Sequence, residues 1–290
     1  MALSNMTITP EFGNSTVIAI DCGTSIPKLS GSIDISAYNN LLSFKCTGHG
    51  ITGFYGNTFC NNLTSLRLSN NKLTVLPVFS GMPFLKEMRL DNNEFAGSMT
   101  SLSALTSLVT VRLQQNRNLT GSLPQLSSLS NLESFFCIDC ALSGALPALS
   151  SNTLLVDFRC DSQFGTSHFT GSIPNLSYNT NLKYFYGFNN EFSGNIPDLS
   201  NNSTLFEFRV RDNLLTGWTG GTVSNTLRFF DASNNLLTQS AINAILAAFV
   251  AANRSTGSLI LSGGGNPPPS GQGLTDKATL ISRAWTVVTS

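Results

Sequence analysis

The chain has 290 residues, with 16 basic and 16 acidic side chains and a formal net charge of zero. Only 11% of its residues are charged, against roughly 25% in an ordinary globular domain. A neutral chain lacks the long-range attraction used by nucleic-acid and anionic-membrane binders, and its apolar stretches are short. We therefore expect no nucleic-acid partner and no membrane insertion.

Residues 1–40 predict an N-terminal cap, because they hold one strand candidate, Thr16 to Asp21, among turn-forming residues. The first ten residues, MALSNMTITP, lack the basic and apolar regions of a secretory signal. Three origins stay open at this point: retention in the compartment of synthesis, release by lysis or a non-classical route, or trimming of the chain.

One pattern recurs from residue 41 to residue 237: apolar-x-x-apolar-x-apolar-x-x-Asn-x-apolar. Nine copies follow one another at intervals of 22 to 27 residues, which indicates a solenoid of stacked turns. The fourth position of the pattern falls at Phe44, Leu66, Met88, Val111, Phe135, Phe158, Phe185, Phe208 and Phe230.

These copies, such as LTSLRLSNNKL from Leu63 and TLFEFRVRDNLL from Thr204, resemble leucine-rich repeats. Several continue with a Gly and Pro half, such as LTGSLPQLSSL from Leu119, that is similar to the plant-type repeat. The resemblance implies an α/β leucine-rich-repeat solenoid of about nine full turns between two caps. Its concave side is a parallel sheet, and its convex side is mostly extended or 3₁₀.

The chain contains 30 Asn, and the repeat gives many of them a structural position. The chain bends after each strand, where an inward amide can satisfy backbone groups that would otherwise be buried unpaired. We expect a ladder formed by Asn71, Asn93, Asn116, Asn190, Asn213 and Asn235. His49 and Cys140 take the position in the first and fifth copies. The sixth copy has no clean match, and an insertion around Ser162 to His168 predicts a bulging loop.

Residues 238–290 predict a C-terminal cap with the order helix, strand, helix, strand. Ser240 is expected to N-cap a helix that runs to Ala252. A strand, 258–261, follows, then a helix over 276–283 that Thr275 caps, then a closing TVVTS strand. The block GQGLTDKATLISRAWTV resembles C-terminal segments on repeat proteins of bacteria and tailed bacteriophages.

No constellation of residues predicts catalysis, so we expect neither an enzyme nor a cofactor or metal. His49 and His168 have no partner at metal-ligand spacing. Cys137 and Cys140 fall on inward positions without a helix N-terminus to activate a thiol, which favours small buried thiols. Neighbouring turns place Cys137 near Cys160, and Cys22 relates similarly to Cys46. A disulfide is sterically conceivable in both pairs and stays open.

Strand alternation predicts which side chains face the concave surface. One outward column comprises Lys45, Arg67, Arg89, Arg112, Phe136, Arg159, Tyr186, Arg209 and Asp231, and six of these nine residues are basic. Two interpretations stay open: a solvated face on which Arg and carboxylates relieve one another, or a binding face. The predicted binding residues are Arg67, Arg89, Arg112, Phe136, Asp157, Arg159, Tyr184, Tyr186, Phe188 and Arg209.

The predicted function is that of a non-catalytic surface protein. The first hypothesis is a virion component of a tailed phage, for capsid decoration or host attachment. It would lie on the virion surface and bind capsid or tail proteins or a cell-surface glycan. The C-terminal resemblance and the missing export signal favour this hypothesis. The alternative is an extracellular receptor-like ectodomain or a bacterial adhesin, which the plant-type repeats favour.

Overall fold

A computed structural model describes residues 17–23, 28–56, 60–99 and 102–290, with the strands numbered β1 to β21 along the chain. Twelve strands form one parallel sheet. They are β1 (Ala19–Asp21), β3 (Ser43–Lys45), β5 (Ser65–Arg67), β6 (Glu87–Arg89), β8 (Thr110–Arg112), β10 (Ser134–Phe136), β13 (Asp157–Arg159), β15 (Tyr184–Tyr186), β17 (Glu207–Arg209), β19 (Phe229–Asp231), β20 (Gly257–Ile260) and β21 (Trp285–Val288). The predicted solenoid is confirmed, since all nine repeat copies supply a strand in chain order.

The inward side of this sheet is a continuous apolar core. Each turn contributes a fully buried residue at the fourth repeat position, and five consecutive turns contribute a Phe. The rings of Phe135, Phe158, Phe185, Phe208 and Phe230 stack with successive centroids 5.2 to 5.9 Å apart. This ring stack couples neighbouring turns, since one turn alone has no partner for its apolar face.

The Asn ladder forms as expected at all six predicted positions. At Asn71, Nδ2 donates to the carbonyl of Cys46 at 2.7 Å and Oδ1 accepts from the amide of Ile51 at 3.2 Å. Gln163 occupies the ladder position of the sixth copy, donating to the carbonyls of Cys137 and Cys160 at 2.9 and 3.1 Å. The expectation that this copy lacks a match is wrong, because the Gln amide reaches the same groups as Asn.

From the second repeat copy to the ninth, the residue before the ladder position has a left-handed backbone, with φ between 50° and 62°. Asn and Asp tolerate this conformation better than most residues, because their short side chains hydrogen-bond locally. We call these residues the pivots. They are Asn70, Asn92, Gln115, Asp139, Ser162, Asn189, Asp212 and Asn234.

A second buried ladder on the convex side was not predicted. Asn152, Asn179 and Asn202 are fully buried, and each amide donates to two backbone carbonyls of preceding turns. These bonds satisfy backbone groups where the chain returns toward the next strand. The sequence signal is the recurring Asn in LSSNT, LSYNT and LSNNS.

The convex side is extended, as predicted, with short parallel strands and one described 3₁₀ turn, Phe79–Gly81. Its strands are β2 (Ser30–Asp34), β4 (Gly50–Tyr55), β7 (Ala96–Ser98), β9 (Asn118–Gly121), β11 (Ala141–Leu142), β12 (Gly144–Ala145), β14 (Phe169–Gly171), β16 (Glu191–Ile196) and β18 (Leu214–Trp218). The inserted loop follows Ser162 and leaves Phe164 exposed.

The C-terminal elements occur in the predicted order, with different helix starts. Helix α1 (Gln239–Ala251) is capped by Thr238, whose hydroxyl accepts from the amide of Ala241 at 3.2 Å. The prediction of Ser240 as the cap is wrong, because Ser240 already lies within the first turn. Helix α2 (Gln272–Ser282) begins after Gly271, so Thr275 lies inside it and does not cap it.

At the N-terminal end, β1 is shorter than the predicted strand, and Thr16 lies outside the described residues. The C-terminal cap packs on the ring stack through Phe249, whose ring centroid is 5.4 Å from that of Phe230 and 5.3 Å from that of Trp285. Within the described ranges, no helix has the length and apolarity needed to cross a membrane.

Candidate functional site

The main sheet brings nine of the ten predicted binding residues onto the face opposite the core, and Phe188 follows two residues after the end of β15. The register pairs Arg67 with Arg89, and Arg89 with Arg112. It continues from Arg112 through Phe136, Arg159 and Tyr186 to Arg209. The predicted outward column is therefore present, because every strand pair aligns equivalent repeat positions. Its use in binding remains a prediction.

The first basic residues of the column are balanced by a single shared carboxylate. Glu87 contacts Arg67 at 2.7 Å and Arg89 at 2.6 Å. Burial pushes the pKa of Glu87 upward, but hydrogen bonds from Arg67 and Ser65 and the two Arg charges outweigh it. The net effect holds the pKa of Glu87 below its ordinary value. Lys45 pairs with Asp21 at 2.9 Å.

Aromatic rings surround the cations in the second half of the column. Arg159 makes two 2.8 Å hydrogen bonds with Asp157, and its guanidinium carbon lies 4.9 Å from the ring centroid of Phe136 and 4.5 Å from that of Tyr186. Arg209 repeats this arrangement 5.2 Å from the Tyr186 centroid. Such contacts fix the rings in place, since cation–π pairs contribute about 0.5–1 kcal/mol each at exposed sites.

We call Phe136, Tyr184, Tyr186, Phe188 and Phe229 the aromatic patch. Each of these rings has solvent exposure on the concave face. The Tyr186 hydroxyl donates to Glu207 Oε2. Burial, followed by that hydrogen bond and the Glu207 charge, raises the pKa of Tyr186 to about 12. The hydroxyl therefore stays protonated at neutral pH and acts as a donor.

Two residues beside the patch escaped the sequence analysis. The ring of Phe206 lies edge-on to Tyr184 and Phe229, with both centroids 6.1 Å away. Arg211 lies over Phe188, with its guanidinium carbon 4.5 Å from the ring centroid. Phe206 precedes the strand, and Arg211 follows it. A wider search of positions flanking each strand triplet would have found both.

Asp161 is a buried carboxyl in the column that flanks the basic one. The residue is 4% exposed, and its Oδ1 has no hydrogen-bond partner among the described residues. Burial raises the pKa of Asp161 to about 6, against the partial compensation of Arg159 and Arg211. This group therefore changes charge in a mildly acidic range.

The cysteines and histidines take structural positions. No disulfide joins the described cysteines, and burial raises the pKa of Cys137 and Cys160 well above the ordinary value. His49 accepts from the amide of Leu29 through Nδ1, as a ladder residue. Across the described ranges, no group of three or more His, Cys, Asp or Glu is arranged to hold a metal ion.

The stacked turns, the parallel concave sheet and the Asn ladder give this chain a leucine-rich-repeat fold. No protein-family model matches it. It is 35% identical to Pollen receptor-like kinase 2 of Arabidopsis thaliana over 133 residues, a match that covers 41% of this chain and 19% of that protein. The chain thus spans about a fifth of this curated relative.

Solved leucine-rich-repeat structures share the fold. The ectodomain of the Arabidopsis thaliana receptor kinase GASSHO1/SCHENGEN3 superposes with a TM-score of 0.63 at 20% identity, covering 86% of this chain and 36% of that one. The Arabidopsis receptor kinase HAESA gives 0.58 at 23% identity, covering 86% and 46%. An internalin of Listeria monocytogenes gives 0.52 at 16%, covering 88% and 77%.

These findings overturn the first functional hypothesis. The sequence relative is a plant receptor-like kinase, and the receptor structures share the fold over most of this chain. None of these proteins is a phage component. The virion assignment is therefore wrong, and neither a virion-surface location nor capsid or tail partners find support in these comparisons. That hypothesis relied on the resemblance of one short C-terminal block, and such a block carries less information than nine repeats.

Proposed function

We propose that this chain is a non-catalytic recognition module of the extracellular receptor-ectodomain type, which binds a peptide or protein partner across its concave face. The observation that carries this proposal is the aromatic patch, held by Arg159 and Arg209 on the outward side of the sheet. Solvent-exposed rings with Arg between them are the residue types that dominate binding hot spots.

The patch is held by contacts within the chain itself. Arg159 is fixed by two hydrogen bonds to Asp157, and Tyr186 is fixed by its bond to Glu207. A fixed surface loses little conformational freedom on binding, so more of the contact energy contributes to affinity.

The same contacts argue against catalysis on this face. A general base or nucleophile needs a carboxylate that is free to meet a substrate. Glu87, Asp157 and Glu207 are each engaged by at least one Arg of the column. These three carboxylates therefore hold the Arg side chains of the column in position.

The comparisons support a peptide partner. The GASSHO1/SCHENGEN3 ectodomain was solved with CASPARIAN STRIP INTEGRITY FACTOR 2, and HAESA with the peptide hormone IDA and the co-receptor SERK1. This chain spans 36% and 46% of those two receptor chains. A partner for this chain is proposed on the basis of its own concave surface and this shared fold.

A peptide selection tests the proposal. Random 12-residue peptides displayed on their encoding RNA are selected on the full chain, and the affinities of the winners are then measured. We expect an Arg159→Ala/Tyr186→Ala double variant to lose at least tenfold in affinity. A Thr120→Ala/Ser122→Ala variant serves as control, because both side chains are exposed on the convex side. Equal affinity of the winners for wild type and the concave variant would contradict the proposal.

Circular dichroism melts confirm that both variants are folded before binding is compared. A glycan array run with the same proteins covers the other partner class. If no peptide is selected and a neutral glycan binds in a way that depends on Tyr186, the proposed ligand is a sugar and not a peptide.

A further inference from the structure

One cation of the outward column lacks an internal counter-charge. Arg112 is half-buried, and its Nε has no hydrogen-bond partner among the described residues. No carboxylate of the described chain forms an ion pair with it, whereas Arg67, Arg89, Arg159 and Arg209 each have one. Its guanidinium carbon lies 4.9 Å from the centroid of the Phe136 ring.

Arg112 borders a depression of about 250 Å³ on the concave face, which we call the basic pocket. Its charged lining residues are Lys45, Arg67, Arg89, Arg112 and Asp91. Glu87 and Asp21 lie outside this lining and form ion pairs with Arg67, Arg89 and Lys45. Together with Asp91 they supply three carboxylates for the four cations. The local excess is one positive charge, which is the charge that a single carboxylate would neutralise.

The geometry suits one anionic group between Arg89 and Arg112. The two residues are direct register partners on β6 and β8, so their backbones lie about 4.8 Å apart. Both side chains leave the sheet on the same face, and one carboxylate can accept hydrogen bonds from both. Such charge-assisted bonds are roughly twice as strong as neutral ones.

We propose that the basic pocket binds one carboxylate of an extended peptide whose following residues lie on the aromatic patch. The peptide component rests on the function proposed above, whereas the anion site stands on the pocket itself. Arg112 and Tyr186 are three strands apart, about 14 Å at the usual strand spacing. An extended chain covers that distance in about four residues. The ligand therefore carries an acidic group about four positions from an aromatic or apolar anchor.

The anion site is tested without any peptide. Inorganic sulfate is titrated at constant ionic strength, and the Nε–Hε signals of Arg67 and Arg89 are followed by nuclear magnetic resonance. We expect saturable shifts in the wild type that disappear in Arg112→Gln. The matched control is Lys72→Gln, which removes one positive charge at an exposed site outside the pocket. Identical titrations of the two variants would overturn the anion site.

The peptide arm uses the winners of the library selection. We expect them to carry an acid about four positions from an aromatic residue, and Arg112→Gln to lower their affinity at least fivefold. Changing the peptide acid to its amide then causes no further loss in the variant. Amidating the peptide C-terminus separates a terminal carboxylate from a side chain. Winners without an acid, with affinity unchanged by Arg112→Gln, would overturn this inference and leave the proposed function intact.

Discussion

The Tyr186 hydroxyl donates to the Glu207 carboxylate on the neighbouring strand, which makes this tyrosine part of the scaffold as well as of the exposed surface. Its ring lies between Arg159 and Arg209, at 4.5 and 5.2 Å from their guanidinium carbons. The two roles can be separated, because the hydroxyl and the ring make different contacts.

Replacing Tyr186 by Phe removes the hydroxyl and keeps the ring. We expect the free energy of unfolding to fall by roughly 1.5 kcal/mol, the lower end of the range for a hydrogen bond to a charged group, because Tyr186 is half-buried. Peptide affinity should change much less than in Tyr186→Ala. Urea denaturation measures the first effect. Tyr178→Phe is the control, because that tyrosine is 55% exposed. An equal loss in both variants would show that the Glu207 bond contributes nothing.

Asp161 predicts a pH dependence of stability. Its pKa is about 6 in the folded chain and 3.8 in its ordinary state, so the folded chain binds more protons between these values. The free energy of unfolding therefore falls as pH rises from about 4 to about 6. Asp161→Asn should remove this fall and stabilise the protein at pH 7 by up to about 3 kcal/mol.

Urea titrations at pH 4, 5, 6 and 7 test the Asp161 prediction. Glu94→Gln serves as control, since that side chain is exposed on the surface. If wild type and Asp161→Asn show the same slope with pH, another group is responsible for the dependence.

We expect a single Asn of the ladder to contribute strongly to the free energy of unfolding. Asn213 donates to the carbonyls of Gly187 and Val210 and accepts from the amide of Phe192. Asn213→Ala leaves these buried backbone groups unpaired, and we expect a loss of about 3 kcal/mol in the free energy of unfolding. Asn201→Ala, at an exposed position, should change it by less than about 0.5 kcal/mol. A loss below about 1 kcal/mol for Asn213→Ala would indicate that water replaces the amide.

Thiol labelling of the native protein should discriminate sharply among the cysteines. Cys22 is half-buried, and its hydrogen bond with Cys46 lowers its pKa. Cys137 and Cys160 are fully buried, with pKa values raised by that burial. At pH 8 iodoacetamide should modify Cys22 first, as read by mass spectrometry. Labelling of Cys137 at the rate of Cys22 would contradict the described burial. Six blocked thiols after unfolding would exclude disulfides.

The sheet could be predicted from the sequence because two patterns recur in every turn. One is the alternation of inward and outward side chains along each strand, and the other is the repeat interval of 22 to 27 residues. Arg67, Arg89 and Arg112 fall into one column for that reason alone. The pairing within the column depends on rotamers, so Glu87 bridging two Arg residues was not predicted. The prediction of the start of α1 was wrong because Thr238 and Ser240 are both residue types that favour the N-cap position. Packing of α1 decides between them.

The second ladder and the role of Gln163 were not predicted, because the repeat pattern considers only Asn at one position of each turn. Backbone carbonyls accept from any amide that reaches them, so Gln163 substitutes for Asn when its longer side chain fits. The functional assignment failed for a different reason. Composition and a short terminal block say little about biological context, whereas the repeats share 35% identity over 133 residues with a plant receptor-like kinase.

The pivots explain how one turn can grow without disturbing the next. Ser162 keeps its left-handed backbone just before the inserted loop, and Arg159 still pairs with Tyr186 across the longest interval of the array. Length changes are thereby confined to the segment beyond each pivot. An insertion can therefore lengthen a surface loop of this protein while the outward column keeps its strand register.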